Sequence, residues 1–229
     1  DCLLSRGLGD VYKRQSGYIV NENLKAEVLT TFKVNHLFVH RCQVVNGEVK
    51  VGDYAFAQID SARRAQIRVH HTSAHLLQAA LIKVLGDEVK QAGSQVEENR
   101  MRFDFTFSRA MTPQEVKKTE DIMNKWIGEK LPVNTDVMGI EEAKLTGATA
   151  LFGEKYEDVV RVVSIGGKAK CNCGSDCSCD HESGEEKEVI SKEFCAGTHA
   201  SNTADLRLVK IVSEGAIACL LYTSDAADD

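Results

Sequence analysis

The sequence predicts an α+β fold: a small N-terminal β module, barrel-like in its succession of strands, followed by a mixed α/β domain. Three observations carry this expectation. Residues 18–59 read at the two-residue period of half-buried strands, residues 68–86 switch to a helical period, and later strands and helices mix without the regular βαβ alternation of a parallel sheet.

From Tyr18 to Ile59 the pattern is strand-like. "EVKVGDYAFAQID" alternates apolar and polar positions and "NGE" at 46–48 supplies a turn signal. "RVHHTSAHLLQAALIKVLG" then places Leu76, Leu77, Ala80, Leu81, Val84 and Leu85 on one helical stripe, with Gly86 as C-cap. This reading starts the helix at Arg68 and puts His71 and His75 on its first turns. "VKQAGSQVE" and "RMRFDFTF" read as strands, the second with Met101, Phe103, Phe105 and Phe107 on one face. "TPQEVKKTEDIMNKWIGEK" opens with Thr112 at the N-cap, Pro113 at the first helical position and Glu115 three residues after the cap, a capping box. "LPVNTDVMGI" predicts a strand, "EEAKLTG" a short helix, "VVRVVSI" a strand and "LRLVKIV" a closing strand. Between Gly166 and Glu193 the chain is polar, acidic and cysteine-rich without an apolar period, as a surface insertion would be. The expected organisation is a β module over 17–62 and a second domain over 63–218 carrying the insertion 167–192. The stretches 1–16 and 219–229 read as flanks foreign to the fold.

At 229 residues with 43% hydrophobic side chains, the chain can bury an ordinary core. No apolar run approaches the roughly 18–20 residues that span a bilayer, and "DCLLSRGLGDVYKRQ" lacks a signal peptide's order, so no membrane and a cytoplasmic address are expected. A formal charge of −6 excludes nucleic-acid binding by bulk positive charge, so any RNA contact must be local. Of eight cysteines, four crowd one short stretch, which in a reducing compartment reads as metal binding before disulfides.

His71 and His75, four apart on a helix, share a face with Cβ atoms about 5–6 Å apart. Downstream, Cys195 and His199 repeat the spacing in "EFCAGTHASNT". One thiolate and three imidazoles form the N/S set that zinc takes in tetrahedral geometry. Thr72 stands where a His-Glu-x-x-His zinc protease has its general base, so peptide hydrolysis by that route is excluded. In "CNCGSDCSCDH", Cys171, Cys173, Cys177 and Cys179, with His181, offer either a second metal site or an unligated surface loop.

"HTSAH" followed by "LLQAALIKVLG", then "QAGSQV", "RMRFDF", "EEAKLTGATALFGEKYEDVVRVVSIG" and "CAGTH", in that order, resemble the editing domain of alanyl-tRNA synthetases. The resemblance runs from about Gly17 to Ala218, and small freestanding alanyl-tRNA deacylases are the nearest competitors. It implies hydrolysis of the ester between a wrong amino acid, serine or glycine, and the acceptor end of alanine tRNA. A pocket for alanine's methyl group rejects neither an added hydroxyl nor a smaller side chain, so a second hydrolytic site is needed. The resemblance sets His71, His75, Cys195 and His199 on zinc-binding positions and Gln91 on a glutamine of the editing pocket, where its amide can both donate to and accept from a hydroxyl. A metal-positioned water is the expected nucleophile, with the Thr72 and Thr198 hydroxyls as orienting groups. ATP-dependent ligation of alanine belongs to a parent synthetase's other domains in cis. A non-catalytic, zinc-stabilised tRNA-binding module is the contrasting reading.

The sequence departs from the family pattern at Ala196, where glycine is usual and a positive φ would strain the loop, and at Ala74, which replaces a common threonine. Arg63, Arg64 and Arg68 before the metal helix, and Arg100 and Arg102 along a neighbouring strand, are candidate phosphate contacts.

Overall fold

The computed structural model describes residues 16–34, 37–150, 156–169 and 186–216. Strands β1 (Gly17–Asn21), β2 (Leu24–Val34), β3 (Leu37–Gly47) and β4 (Phe56–Ile59) form an antiparallel sheet in the order β3-β2-β1-β4. Alternation holds on β2, where Leu24, Ala26 and Val28 are buried while Lys25, Glu27 and Leu29 face out. Among the described residues the sheet does not close, which corrects the barrel-like expectation. "EVKVGDY" is not a strand either. The Asp53 carboxylate accepts from the Lys50 N–H at 2.8 Å and the Asp53 N–H returns to the Lys50 carbonyl at 3.1 Å, a local turn that competes with strand pairing. Asn46-Gly47 ends β3 instead of joining two strands: Gly47 has φ +84° opposite Leu24, and a Cβ there would lie 1.6 Å from the Asn23 carbonyl oxygen.

Helix α1 (Ser61–Leu85) begins seven residues before the expected start, so His71 and His75 sit mid-helix. Asp60 is the cap, its side chain accepting from the Arg63 N–H at 2.9 Å. The first turns carry no apolar stripe because Ser61, Ala62, Ala65 and Gln66 are exposed. Strands β5 (Lys90–Val96) and β6 (Met101–Thr106) pair antiparallel, and Phe103, Phe105 and Phe107 pack on Leu81, Val89 and Met111. Helix α2 (Pro113–Gly128) has both bonds of its capping box, and Arg109 grips Glu115 through two nitrogens at 2.9 and 2.8 Å.

Strands β7 (Val133–Gly139), β8 (Val159–Gly167) and β9 (Lys187–Phe194) form a third antiparallel sheet in sequence order, with the short helix α3 (Ile140–Leu145) between β7 and β8. The main core joins Leu76 and Ala80 of α1 to Met123, Trp126 and Ile127 of α2 and Val163 and Ile165 of β8. Strand β9 is a correction to the insertion, whose last residues belong to the sheet. Its inward positions are polar, Ser191 and Glu193, and both are buried, so no apolar period announces it. "LRLVKIV" is not a strand. After a 3-10 turn at Thr203–Leu206 the segment runs along α2, where Asn124 accepts from the Val209 N–H and donates to the Val209 carbonyl, and Glu120 accepts from the Ile211 N–H, each at 2.9 Å. Side chains of a helix meet the backbone groups that a neighbouring strand would have met.

Candidate metal centre

Helix α1 presents His71 and His75 one turn apart; the chain leaving β9 supplies Cys195 and then His199. The four donor atoms lie within 4.8 Å of one another. Sγ of Cys195 is 3.5 Å from His71 Nε2 and 3.3 Å from His199 Nε2. A tetrahedral zinc with its usual S and N bond lengths spaces such atoms about 3.5 Å apart.

The opposite nitrogen of each ring is held. His71 Nδ1 lies 3.2 Å from the Thr198 carbonyl oxygen, which only accepts, so this nitrogen carries the proton. His75 Nδ1 donates to Glu193 Oε2 at 2.8 Å, and Ser191 Oγ donates to the other Glu193 oxygen, also at 2.8 Å. Thr72 is fully buried. Its hydroxyl donates to the Arg68 carbonyl at 3.0 Å and accepts from the Ala200 N–H at 3.0 Å, so it also accepts from His199 Nδ1 at 3.3 Å. Three rings thus present Nε2 to one point, each fixed by a partner behind it, as metal-binding histidines are. Gly197 completes the cradle, because a Cβ there would lie 2.0 Å from Cε1 of His71.

Burial pushes His75 toward the neutral ring, but the Glu193 carboxylate outweighs it and raises its pKa. Burial likewise opposes a Cys195 thiolate, and hydrogen bonds from His199, His71 and His75 reverse that, so the thiol pKa is strongly lowered. Burial first of all lowers His199. The donor set is a thiolate among imidazoles, the chemistry of a zinc ligand shell, and a metal held there would require His75 Nε2 unprotonated.

The remaining expectations fare unevenly. Thr72 and Thr198 both reach the cluster: Thr72 through its hydroxyl, which is committed to holding His199, and Thr198 through its backbone carbonyl instead of its hydroxyl. Gln91 is half-buried on β5 opposite Phe105, outside the described bonds that tie the cluster together. Ala196 has no positive φ, so the anticipated strain is absent; its carbonyl accepts from Arg161 at 2.8 Å. The arginines form no bare cationic face. Arg68 Nε donates to the His199 carbonyl at 2.6 Å, Arg63 pairs with Glu98 at 2.8 Å, Arg100 with Glu97 at 3.2 Å and Arg102 with Asp104 at 3.1 Å, while Arg64 is half-buried on α1. Cys171, Cys173, Cys177, Cys179 and His181, and residues 151–155 of the "ALFGEKY" segment, lie outside the described residues. Sequence reading missed Glu193, Ser191 and Gly197. The available signal for the first two was the period-two run Ser191, Glu193, Cys195, two polar groups on β9 and one just past its end. Among the described residues no helix is long and apolar enough to cross a membrane.

Comparison with known proteins bears out the resemblance read from the motifs. Residues 160–218 match the threonyl and alanyl tRNA synthetase second additional domain. Over 202 residues, 88% of this chain, it is 43% identical to an alanine--tRNA ligase of Synechococcus sp. and 40% identical to that of Thermosynechococcus vestitus, covering 20% of each. The alanine--tRNA ligase of Legionella pneumophila is 42% identical over the same length, with 21% of it covered. The chain therefore spans about one fifth of the curated relatives it matches.

Proposed function

We propose that this chain, related along most of its length to one fifth of alanine--tRNA ligases, is the editing part of such an enzyme, an ester hydrolase that removes serine or glycine from mischarged alanine tRNA. The observation that carries this reading is the convergence of His71, His75, Cys195 and His199, each ring braced from behind, in a chain that resembles alanine--tRNA ligases over 88% of its length and whose residues 160–218 match the synthetase domain.

Bound zinc would polarise the ester carbonyl and acidify an attacking water. The protein's own part is positional. Cys195 and the three Nε2 atoms hold the ion, Glu193 fixes the orientation of His75, Thr72 that of His199, and the Thr198 carbonyl that of His71. Gln91 reads the serine hydroxyl through its amide, and a polar pocket left unsatisfied by alanine spares the correct product. The substrate's acceptor end enters from the tRNA, with Arg64, and with Arg100 and Arg102 once Glu97 and Asp104 yield, as phosphate contacts. The residues over 17–62 form a separate β module and those over 63–218 the editing domain. ATP-dependent alanine ligation resides in synthetase domains in cis, in the cytoplasm. The full four-ligand shell also favours a second reading, a structural zinc in a tRNA-binding module, because catalytic zinc usually keeps one position open.

The test is release of serine from serine-charged alanine tRNA by the zinc-loaded chain, beside alanyl-tRNA and Cys195→Ala. Serine release that spares alanine and disappears in a folded Cys195→Ala chain is expected. A folded, zinc-loaded chain that binds tRNA and releases nothing would establish the structural module instead. Zinc content decides the insertion: two equivalents per chain assign one to Cys171, Cys173, Cys177 and Cys179.

A further inference from the structure

Helix α1 brings His71 and His75 together by its own geometry, whereas Cys195 and His199 stand on a loop that has no such period. Residues 195–200 form neither helix nor strand, and those from Gly197 to Ala200 are buried. Among the described residues, no N–H or carbonyl from Ala196 to Ala200 bonds another backbone group. Side chains take their place: the Ala196 carbonyl accepts from Arg161 Nη1 at 2.8 Å, the Thr198 carbonyl from His71 Nδ1 at 3.2 Å and the His199 carbonyl from Arg68 Nε at 2.6 Å. We propose that Arg68 and Arg161 are positioning residues of the metal centre, which together hold this loop in the shape that sets the Cys195 sulfur 3.3 Å from His199 Nε2. The proposal rests on the cluster holding a metal ion and goes beyond the editing reading.

The two arginines hold opposite ends of the loop. Arg68, His71, Thr72 and His75 occupy one stripe of α1 at the i, i+3, i+4 and i+7 spacing. From that stripe the peptide unit between His199 and Ala200 is held at both edges: Arg68 donates to its carbonyl, and the Thr72 hydroxyl, which itself donates to the Arg68 carbonyl, accepts from its N–H at 3.0 Å. Arg161, on β8, does the same around the sulfur. Its backbone carbonyl accepts from the Cys195 N–H at 3.0 Å while its guanidinium reaches the Ala196 carbonyl. With two anchor points at each end, the loop leaves its two donors little freedom to part.

Arginine suits this task on chemical grounds. A bond from a guanidinium to a carbonyl is charge-assisted, roughly twice as strong as a neutral one. The guanidinium keeps its proton at every working pH and has no acceptor to offer a metal, so it steadies the loop without competing for the ion. One effect runs the other way: a cation beside the cluster repels a metal ion, so by charge alone binding would tighten once an arginine is removed. Loss of position predicts the opposite sign, since losing a partner that orients a metal-binding group ordinarily costs metal affinity about 10–100-fold.

The test measures zinc affinity by chelator competition on the full chain and on Arg68→Met, Arg161→Met, Arg68→Lys and Arg161→Lys, each below the melting temperature of its metal-free form. Each methionine variant, which keeps the aliphatic stem, should bind zinc about 10–100-fold more weakly while its metal-free melting temperature stays near that of the parent. The visible spectrum of the cobalt-loaded methionine variants should depart from the four-coordinate form, and the lysine variants, which keep the charge and a donor, should recover most of the lost affinity. If one methionine variant does not fold, the other decides. Affinity within about threefold of the parent in both, or tighter than the parent in either, would overturn the assignment. So would weaker binding that goes with a lower metal-free melting temperature and an unaltered cobalt spectrum, because the arginines would then serve the fold alone. A parent chain that takes up no zinc overturns this proposal and the metal centre together. Serine release is scored separately: its absence from a chain whose zinc affinity follows the arginines sinks the editing reading alone.

Discussion

Substituting Gly197 by alanine should cost the cluster its metal while leaving the fold in place. The added Cβ would lie 2.0 Å from Cε1 and 2.5 Å from Nδ1 of His71, where ordinary contact begins at 3.4 Å. The ring must retreat by about 1.4 Å along the closest line, against a tolerance of about 0.2 Å for a metal–ligand bond. It would leave both its Nε2 position and its 3.2 Å bond to the Thr198 carbonyl. Four-ligand zinc sites bind with roughly 10–16 kcal/mol, so losing one ligand costs on the order of a quarter, and affinity falls by about two to three powers of ten. Chelator competition reads the zinc affinity, and the visible absorption of a cobalt-substituted chain reports whether the shell remains four-coordinate. Gly128→Ala is the control, since nothing lies within 4 Å of a Cβ built there. Zinc affinity in Gly197→Ala within threefold of the parent would refute the argument, because the His71 ring would then have room that the geometry denies it.

Glu193→Gln should lower zinc affinity by about 10–100-fold with far-ultraviolet circular dichroism unchanged, the usual effect of losing a carboxylate behind a metal-binding histidine; unchanged affinity would remove Glu193 from that role. Thr72→Val leaves the Ala200 N–H and the His199 Nδ1–H without their acceptor in a fully buried place, so urea denaturation should show a loss of about 2–4 kcal/mol that Thr72→Ser largely restores. The Arg109 guanidinium, followed by the Thr112 N–H, holds the Glu115 carboxyl down at about 2 against an ordinary 4.5, so its stabilising effect is complete above the higher value and disappears as pH falls through the lower. The melting-temperature gap between the parent and Glu115→Gln should therefore be small and constant above pH 5 and close by pH 2; a gap that widens in acid would reverse the sign of this linkage.

What could be read from the chain depended on how far away the deciding partner lies. Helix α2 was legible to the residue because Thr112, Pro113 and Glu115 settle its start within four positions. The start of α1 was not, although Asp60 caps it locally, because its first turns are exposed and carry no apolar stripe. Strand β9 escaped because Ser191 and Glu193 point inward and are stabilised by each other and by His75, 118 residues earlier. The closing segment has the composition of a strand, yet Asn124 and Glu120 of a helix take up its backbone groups. At the cluster, the four side chains that could hold a metal were visible as two four-residue spacings, of which helix geometry turns the first, His71 and His75, into proximity. Their supports were not, since nothing local ties Thr72 to His199 or Thr198 to His71.

Those supports cross between the two halves: a helix threonine steadies the loop histidine, a loop carbonyl one helix histidine, and a strand carboxylate the other. The cross-bracing gives the cluster a place in time. His71 precedes Cys195 by 124 residues. At roughly 5–20 residues per second, a growing chain exposes the helix pair for about 6–25 s before its complement is made. Through that interval His71 and His75 lack the thiolate and their two anchors, the Thr198 carbonyl and Glu193, so tight capture of a metal would wait until β9 and the loop beyond it have docked. Metal uptake on the ribosome would mark the moment at which the last strand closes on the first long helix.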